Sequence, residues 1–355
     1  MKRVGYLYEQ ICSVDNLNKA LDKACRRKRH KRFVKRILDN RDYYIEQLRQ
    51  ALLTETYELN PNRYKPITDK CSGKRRELTI PQFYPDQIIH WAVCLQLRPI
   101  FSRGMYAFSC GSVPGRGGKY GKRYIDKIYR RDRKVRYILK TDIHKYFPHV
   151  NTEKLKELLR RKIKDAKVLR LLDAIIDNGA PGLPIGYYTS QWLANFYLEA
   201  VDHHITQDLK IRRYERNVDD QVFMGSNKRK LHRARRELCD HLQENGYGVE
   251  LKDNWQLWRI HSRPLDFLGF RFYRDKTLLR KKTFLRFRRK IAKIKKRGYC
   301  NVAAARAVVS GIGWLKQIPG GKSYYLNHVK PVISKREATR IISIFDKRNS
   351  RRLVA

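Results

Sequence analysis

The chain has 355 residues, 42% of them hydrophobic, which is enough for a substantial core in two or three subdomains and too many for a disordered tail. Its 80 Lys and Arg against 34 Asp and Glu give a formal net charge of +46, spread from one end to the other, and this calls for a polyanionic partner, nucleic acid first among them. No apolar run is long enough to span a bilayer, Met1-Lys-Arg leads into no signal-peptide core, and the seven cysteines are scattered without a C-x-x-C pair; a cytoplasmic protein with reduced structural thiols and no zinc ribbon is expected.

Tyr8 to about Leu53 carries helical periodicity, with Asp15-Asn16 as the expected N-cap and a basic stretch, Arg26-Arg-Lys-Arg-His-Lys-Arg32, in its middle. That stretch is either a solvated helix face or a set of phosphate contacts. Tyr64-Lys-Pro-Ile-Thr68 and Arg76-Glu-Leu-Thr-Ile80 predict two strands joined by a polar turn. Lys74 and Arg76 sit beside that turn, where cations can close on a nucleotide triphosphate or stand as plain surface charge. From about Pro85 a helix follows with Ile88, Ile89, Ala92, Cys94 and Leu97 on a buried face. Ser112-Val-Pro-Gly-Arg-Gly-Gly-Lys-Tyr-Gly121 is the richest glycine stretch, and its Arg116 and Lys119 lie where backbone can approach a ligand closely. It lacks the residue order of a Walker loop, so the phosphates of a strand suit it better than those of a free nucleotide; a flexible loop is the plainer reading.

Val135-Arg-Tyr-Ile-Leu-Lys-Thr-Asp142 is a β-rich run that delivers Asp142 at its end, ahead of Ile143-His-Lys-Tyr-Phe147 and the breaker Pro148. A basic helix is expected from about Thr152 to Leu172, then the loop Gly182-Leu-Pro-Ile-Gly-Tyr-Tyr-Thr-Ser-Gln191, then a core helix capped by Ser190. Arg213 to Gly225 predicts a β-hairpin with Asp219 and Asp220 at its exposed tip. Alone, such a pair is an ordinary solvated turn. Adjacent carboxylates repel unless a cation lies between them, however, and hard divalent ions such as Mg²⁺ prefer carboxylate oxygens. With Asp142 on a neighbouring strand, the three acids would cradle two metal ions about 4 Å apart, as phosphoryl transfer requires. Beyond them, Lys228 to Gln243 predicts a polar helix and Tyr247 to Trp258 predicts strands. From Thr277 an amphipathic basic helix is expected, with Lys281, Arg286 and Arg289 among cations that face either a duplex backbone or solvent.

The order of these pieces resembles reverse transcriptases, from roughly Asn16 to just past Gly269. Asp142 with Phe147 is similar to the family's first palm motif, Leu183 to Gln191 to its nucleotide-pocket motif, Asn217-Val-Asp-Asp220 to its Y-x-D-D hairpin, and Leu265-Asp-Phe-Leu-Gly-Phe270 to its primer-grip turn. The resemblance implies an α+β right-hand polymerase: an N-terminal helical region over 1–60, fingers over 61–135, a palm of antiparallel sheet and helices over 136–270, and a short basic helical thumb over 271–355. It implies RNA-directed DNA synthesis, with template RNA, cDNA and dNTPs as partners. Asp142 and Asp219 would bind two Mg²⁺ ions, with Asp220 in support and the Ile143 carbonyl as a further ligand. Lys74 and Arg76 would hold the triphosphate; Ile185, Gly186 and Gln191 would line the nucleotide pocket; Leu268 and Gly269 would grip the primer. Phe147 would reject a 2′-hydroxyl under the sugar, the plainer reading being a core aromatic.

Two departures bear on subtype. Ile185 stands where most of the family has Gln, and Ser190-Gln191 where it has Ser-Pro; this form resembles the enzymes of diversity-generating retroelements, which copy template RNA with errors at adenines beside a small basic accessory protein. Losing the Gln hydrogen bonds would loosen the pocket, a physical route to low fidelity. Asn217 replaces the usual Tyr, which instead resembles a divergent reverse transcriptase of a bacterial antiphage defence system with a second defence subunit. A non-catalytic RNA-binding or maturase-like protein is a further alternative, against which the three acids argue. No RNase H or endonuclease is expected after the palm, and no Val-Thr-Gly thumb triplet is present.

Overall fold

Runs of β-branched and aromatic residues become strands near Tyr64, Arg76, Tyr137, Tyr214 and Gln221 as expected, whereas Thr277–Leu279, where the basic helix is expected to begin, is also a strand, in the computed structural model, which describes residues 3–68, 73, 75–178 and 181–351. β1 (Arg63–Thr68) and β2 (Arg75–Ile80) form an antiparallel pair in register from Arg63 opposite Ile80 to Thr68 opposite Arg75. β3 (Tyr137–Asp142), β4 (Tyr214–Asn217), β5 (Asp220–Gly225) and β6 (Gln256–Arg259) form a four-stranded sheet in the order β4-β5-β3-β6. β7 (Leu265–Phe267), β8 (Phe270–Phe272) and β9 (Thr277–Leu279) make an antiparallel meander. The chain divides into two compact units, Met1–Gly117 with Leu139–Leu257, and Gly118–Ile138 with Trp258–Ala355.

In the first unit the helix Ile88–Gly104 is the central core element, since Ile88, Ile89, Ala92, Val93, Leu97 and Phe101 are buried at helical spacing. It packs against the helices Val14–Cys25 and Tyr188–Tyr197, with Trp91 stacked on Tyr188 at 3.7 Å between ring centroids. Asn16 is buried there but satisfied: its amide donates to the carbonyls of Ile11 at 2.9 Å and Ala92 at 3.1 Å, and Gln96 donates to it at 2.7 Å. In the second unit the basic helix Lys281–Arg297 lies on the helix Val302–Leu315, a close approach made at Gly311, where a Cβ would strike the Phe287 ring. Lys281, Arg286 and Arg289 are exposed on the outer side of this helix. No helix among the described residues is long and apolar enough to cross a membrane. Six cysteines are free, and Cys71 lies outside the described residues.

Several expected elements come out differently. The helix foreseen from Tyr8 to Leu53 is four helices, Tyr8–Cys12, Val14–Cys25, Arg32–Asp39 and Arg41–Leu53. Its cap is not Asp15-Asn16 but Ser13, whose hydroxyl accepts from the Asn16 N–H at 3.3 Å. The basic stretch is a turn over residues 26–31, with Arg27 at φ 61°, before Arg32 begins the next helix. The helix expected over Thr152 to Leu172 breaks into Thr152–Lys162 and Ala166–Asp177. Asp165 interrupts it by capping Val168 and accepting from the N–H groups of Leu7 at 2.9 Å and Tyr8 at 3.0 Å. Ser190 caps nothing; it is buried inside the helix Tyr188–Tyr197. Of the strands expected over Tyr247 to Trp258, β6 forms, together with a single bridge from Leu251 to Ile143.

Gly186 carries a backbone requirement. Its φ is 132°, and a Cβ would collide with the Thr79 carbonyl and press on Leu78, while the Thr79 N–H donates to the Ile185 carbonyl at 2.8 Å. Gly186→Ala is therefore expected to destabilise the first unit by about 1–3 kcal/mol, read as a lower urea midpoint at unchanged slope.

Candidate active site

Asp219 owes its position to a two-residue turn. β4 and β5 pair Asn217 with Asp220, which leaves Val218 and Asp219 between the strands. Val218 is β-branched yet has φ 63°, a conformation that costs on the order of 1–3 kcal/mol and persists only where its surroundings over-determine it. Those surroundings are visible. The segment before the glycine stretch runs beside β4, with the Arg216 N–H donating to the Phe108 carbonyl at 3.1 Å and the Cys110 N–H to the Arg216 carbonyl at 2.8 Å. Gly111 then lies against Val218 and Asn217 so closely that a Cβ would overlap Val218.

Beneath the turn, Arg216 and Asp202 are fully buried and paired at 2.6 Å. Arg216 also donates to the Val218 carbonyl at 3.1 Å and to Asn195 Oδ1 at 3.2 Å, and the Tyr214 hydroxyl donates to Asp202 at 2.9 Å. A guanidinium held this way, by a carboxylate that accepts three hydrogen bonds, fixes the turn's carbonyl from below. Glu215 on the same strand is also buried; burial lifts its carboxyl to about 8, and the neighbouring Cys110 thiol offsets part of that. A carboxyl raised in the folded state binds more protons there than in the unfolded chain between pH 4.5 and about 8, so its contribution falls as pH rises through that window. Glu215→Gln is expected to flatten the loss of thermal stability between pH 5 and 8, roughly the span the shifted carboxyl covers, in melts recorded across pH.

Asp142 ends β3, which is the sheet neighbour of β5, and the Ile143 N–H donates to the Asp219 carbonyl at 3.2 Å. The strand end and the turn are thus tied through backbone. Both Asp219 and Asp220 are half-buried rather than fully exposed as the hairpin reading expected, because the 108–111 segment and β3 flank the turn. Burial first and Asp220 second push the Asp219 carboxyl above the ordinary value, while its own backbone N–H and Arg76 pull it back. Each acid faces a cation. Lys252 holds the Asp142 carboxylate in an ion pair, Lys140 lies 3.7 Å from Asp220, and the charge of Arg76, on exposed β2, acts on Asp219. Among the described residues no three metal-ligating side chains converge on one point. The donor set is nonetheless hard carboxylates, Asp219 and Asp220 repelling one another and Asp142 at the adjoining strand end, a chemistry that fits Mg²⁺.

The remaining expected residues fall in several places. Lys74 lies outside the described residues. Phe147 is half-buried in the short helix Tyr146–His149, and its carbonyl accepts from the Leu183 N–H at 2.7 Å, which joins the loop ahead of the helix Tyr188–Tyr197 to the segment after β3. Ile185 and Gly186 back onto β2, as described above. Gln191 accepts from the Ser112 hydroxyl at 2.7 Å, and its carbonyl accepts from the Asn195 amide at 2.9 Å. Arg116 donates to the Tyr106 carbonyl at 2.6 Å, and Lys119 is exposed at the start of the helix Gly118–Arg131. Leu268 and Gly269 are the β7–β8 turn, with φ 52° and 85°, and Gly269 lies against Trp314. Lys252, Lys140, Ser112 and the Arg216–Asp202 pair escaped the sequence reading. Lys140 was within reach, since strand alternation puts it on the face of Asp142; Lys252 was not, because its place depends on the Leu251–Ile143 bridge.

A family model described as "Reverse transcriptase (RNA-dependent DNA polymerase)" matches residues 67–272. "Protein YkfC" of Escherichia coli is 26% identical over 228 residues, covering 61% of this chain and 54% of that protein. "Group II intron-encoded protein LtrA" of Lactococcus lactis is 29% identical over 188 residues, 50% of this chain and 30% of that one. The chain thus spans about half or less of the length of these relatives. A solved structure of telomerase from Candida albicans in complex with a fragment of telomeric RNA aligns with 78% of this chain and 55% of its own at TM-score 0.50 and 12% identity, a likeness of fold alone. With the acids at adjoining strand ends and the family model covering more than half of its residues, the chain belongs to the reverse transcriptase (RNA-dependent DNA polymerase) family.

Proposed function

We propose that this protein is an RNA-directed DNA polymerase that extends a primer on template RNA with dNTPs, in the cytoplasm. The observation that supports it most is the backbone tie between Ile143 and Asp219, which joins the strand end carrying Asp142 to the turn carrying Asp219 and Asp220 in a chain of this family. Residues 61–135 serve as fingers, 136–270 as palm and 271–355 as thumb, after an N-terminal helical region over 1–60. Asp142 and Asp219 hold two Mg²⁺ ions, Asp220 supports them, and the Ile143 carbonyl adds an oxygen. When bound, the ions neutralise charge on the attacking and leaving oxygens. Lys74 and Arg76 meet the triphosphate, and Ile185, Gly186 and Gln191 line the base pair, Gln191 being held by Ser112. Arg116, Lys119, Leu268, Gly269, Lys281, Arg286 and Arg289 contact nucleic acid.

Phe147 sits under the sugar. Phe147→Ala is expected to reduce discrimination against ribonucleotides roughly 10- to 100-fold, measured as the ratio of extension rates with dNTPs and rNTPs.

Ile185 in place of Gln favours low-fidelity copying of the diversity-generating type, with a small basic accessory protein; Asn217 is the residue that speaks for a defence enzyme with a second subunit. Primer extension on a purine-rich RNA with Mg²⁺, followed by sequencing, separates them. Substitutions concentrated opposite adenine support the first reading and faithful product the second. No product, even with cellular RNA added, overturns the polymerase assignment.

A further inference from the structure

The basic stretch Arg26–Arg32 takes no part in the chemistry above, yet the turn it forms leads into a cleft. Lys28, Lys31, Phe33 and Arg36 meet Arg63 and Phe83 around a cavity of about 610 Å³, a size that holds an organic ligand. Two features of the lining are unusual together. Its floor is aromatic: Phe33 is 42% exposed and packs edge-on to Phe83 at 5.5 Å, while Tyr44 and Tyr84 form a second edge-on pair at 5.1 Å. Its rim is cationic, with no Asp or Glu among the lining residues.

The cations are set over the rings, Lys28 5.5 Å from the centre of Phe83 and Lys31 5.6 Å from the centre of Phe33. Burial and then the neighbouring Lys31 lower the pKa of Lys28, so two ammonium groups crowd one another where an anion would relieve them. One exposed ring, Phe33, beside the half-buried Tyr44 and Tyr84 and interleaved with cations along a groove, suits a flexible polynucleotide: bases stack and phosphates take the charges, with little regard for sequence. A duplex offers no free base faces, and a lipid surface would not stack.

We propose that this cleft is a binding site for single-stranded RNA, separate from the carboxylate site, with a base stacked on Phe33 and the flanking phosphates on Lys31 and Arg36. The choice of RNA over DNA rests on the template reading of the polymerase; the cleft itself does not.

The test uses the full chain carrying Asp219→Asn, so that polymerisation plays no part. A fluorescein-labelled oligouridylate is titrated by anisotropy, and a bromouridine version is cross-linked by ultraviolet light and mapped by mass spectrometry. Cross-links at Phe33 or Tyr44 are expected, with Phe33→Ala and Arg36→Glu each weakening binding at least about fivefold, since one stacked base contributes that much or more. Both positions are solvent-facing, and melting temperatures confirm that the variants fold. Cross-links confined to other residues, with Phe33→Ala unchanged, overturn the site. Uridine monophosphate that competes as well as the oligomer would make it a free-nucleotide site, and equal affinity for oligothymidylate would overturn the RNA assignment. An inactive polymerase that still cross-links at Phe33 would leave the cleft standing while the polymerase reading fell.

Discussion

Asp219→Asn is expected to lower templated primer extension by about a thousandfold while the protein folds and binds RNA as before. On the proposed reading, the substitution would remove one ligand charge from cations that would contribute several kcal/mol to the transition state, with each 1.36 kcal/mol worth tenfold in rate. The fold should survive for a reason visible in the structure. Asp219 is disfavoured as a charge by its burial and by Asp220, so the neutral isostere relieves a cost rather than adding one. The turn itself is held through the Asp219 carbonyl, which Asn retains. Steady-state extension, thermal melting and RNA anisotropy on one preparation check all three. Extension within tenfold of the parent would remove Asp219 from the reaction; a collapsed melting temperature would mean that its role is structural.

The second large effect is on stability. Arg216→Met should cost about 3–5 kcal/mol, enough to leave a marginal domain largely unfolded, because it strands the Asp202 carboxylate in a site with no solvent. Asp202→Leu should do comparable harm by stranding the guanidinium. The double variant should recover much of the loss, since the desolvated partners disappear together. Urea midpoints for the cycle of four proteins test this. Full additivity of the two single losses would mean that the pair is not coupled. Recovered stability with poor extension is the expected phenotype of the double variant, since the Val218 carbonyl would have lost its donor.

How much was legible in advance depended on how far each feature's cause lies along the chain. The β1–β2 pair, the helix from Ile88, the β4–β5 hairpin and Asp142 at a strand end all follow from alternation, apolar spacing and turn residues within a dozen positions. The basic stretch misled because helical periodicity is visible on both sides of it, whereas the backbone leaves the helix at Arg26, where ψ is 125°, and turns at Arg27. Ser190 misled for the opposite reason. Its type suits a cap, but Gly186, backed against Thr79, had already turned the chain into the helix at Tyr188.

Local periodicity and residue chemistry suffice for most element types, for the order of the motifs and for the three acids. It takes the closed fold to put β3 beside β5, Lys252 on Asp142, the 108–111 segment against a strained Val218 at Gly111, and Arg216 in the interior on Asp202. Each of these joins residues far apart in the chain, and such contacts exist only once the core has closed and fixed the register that brings them together.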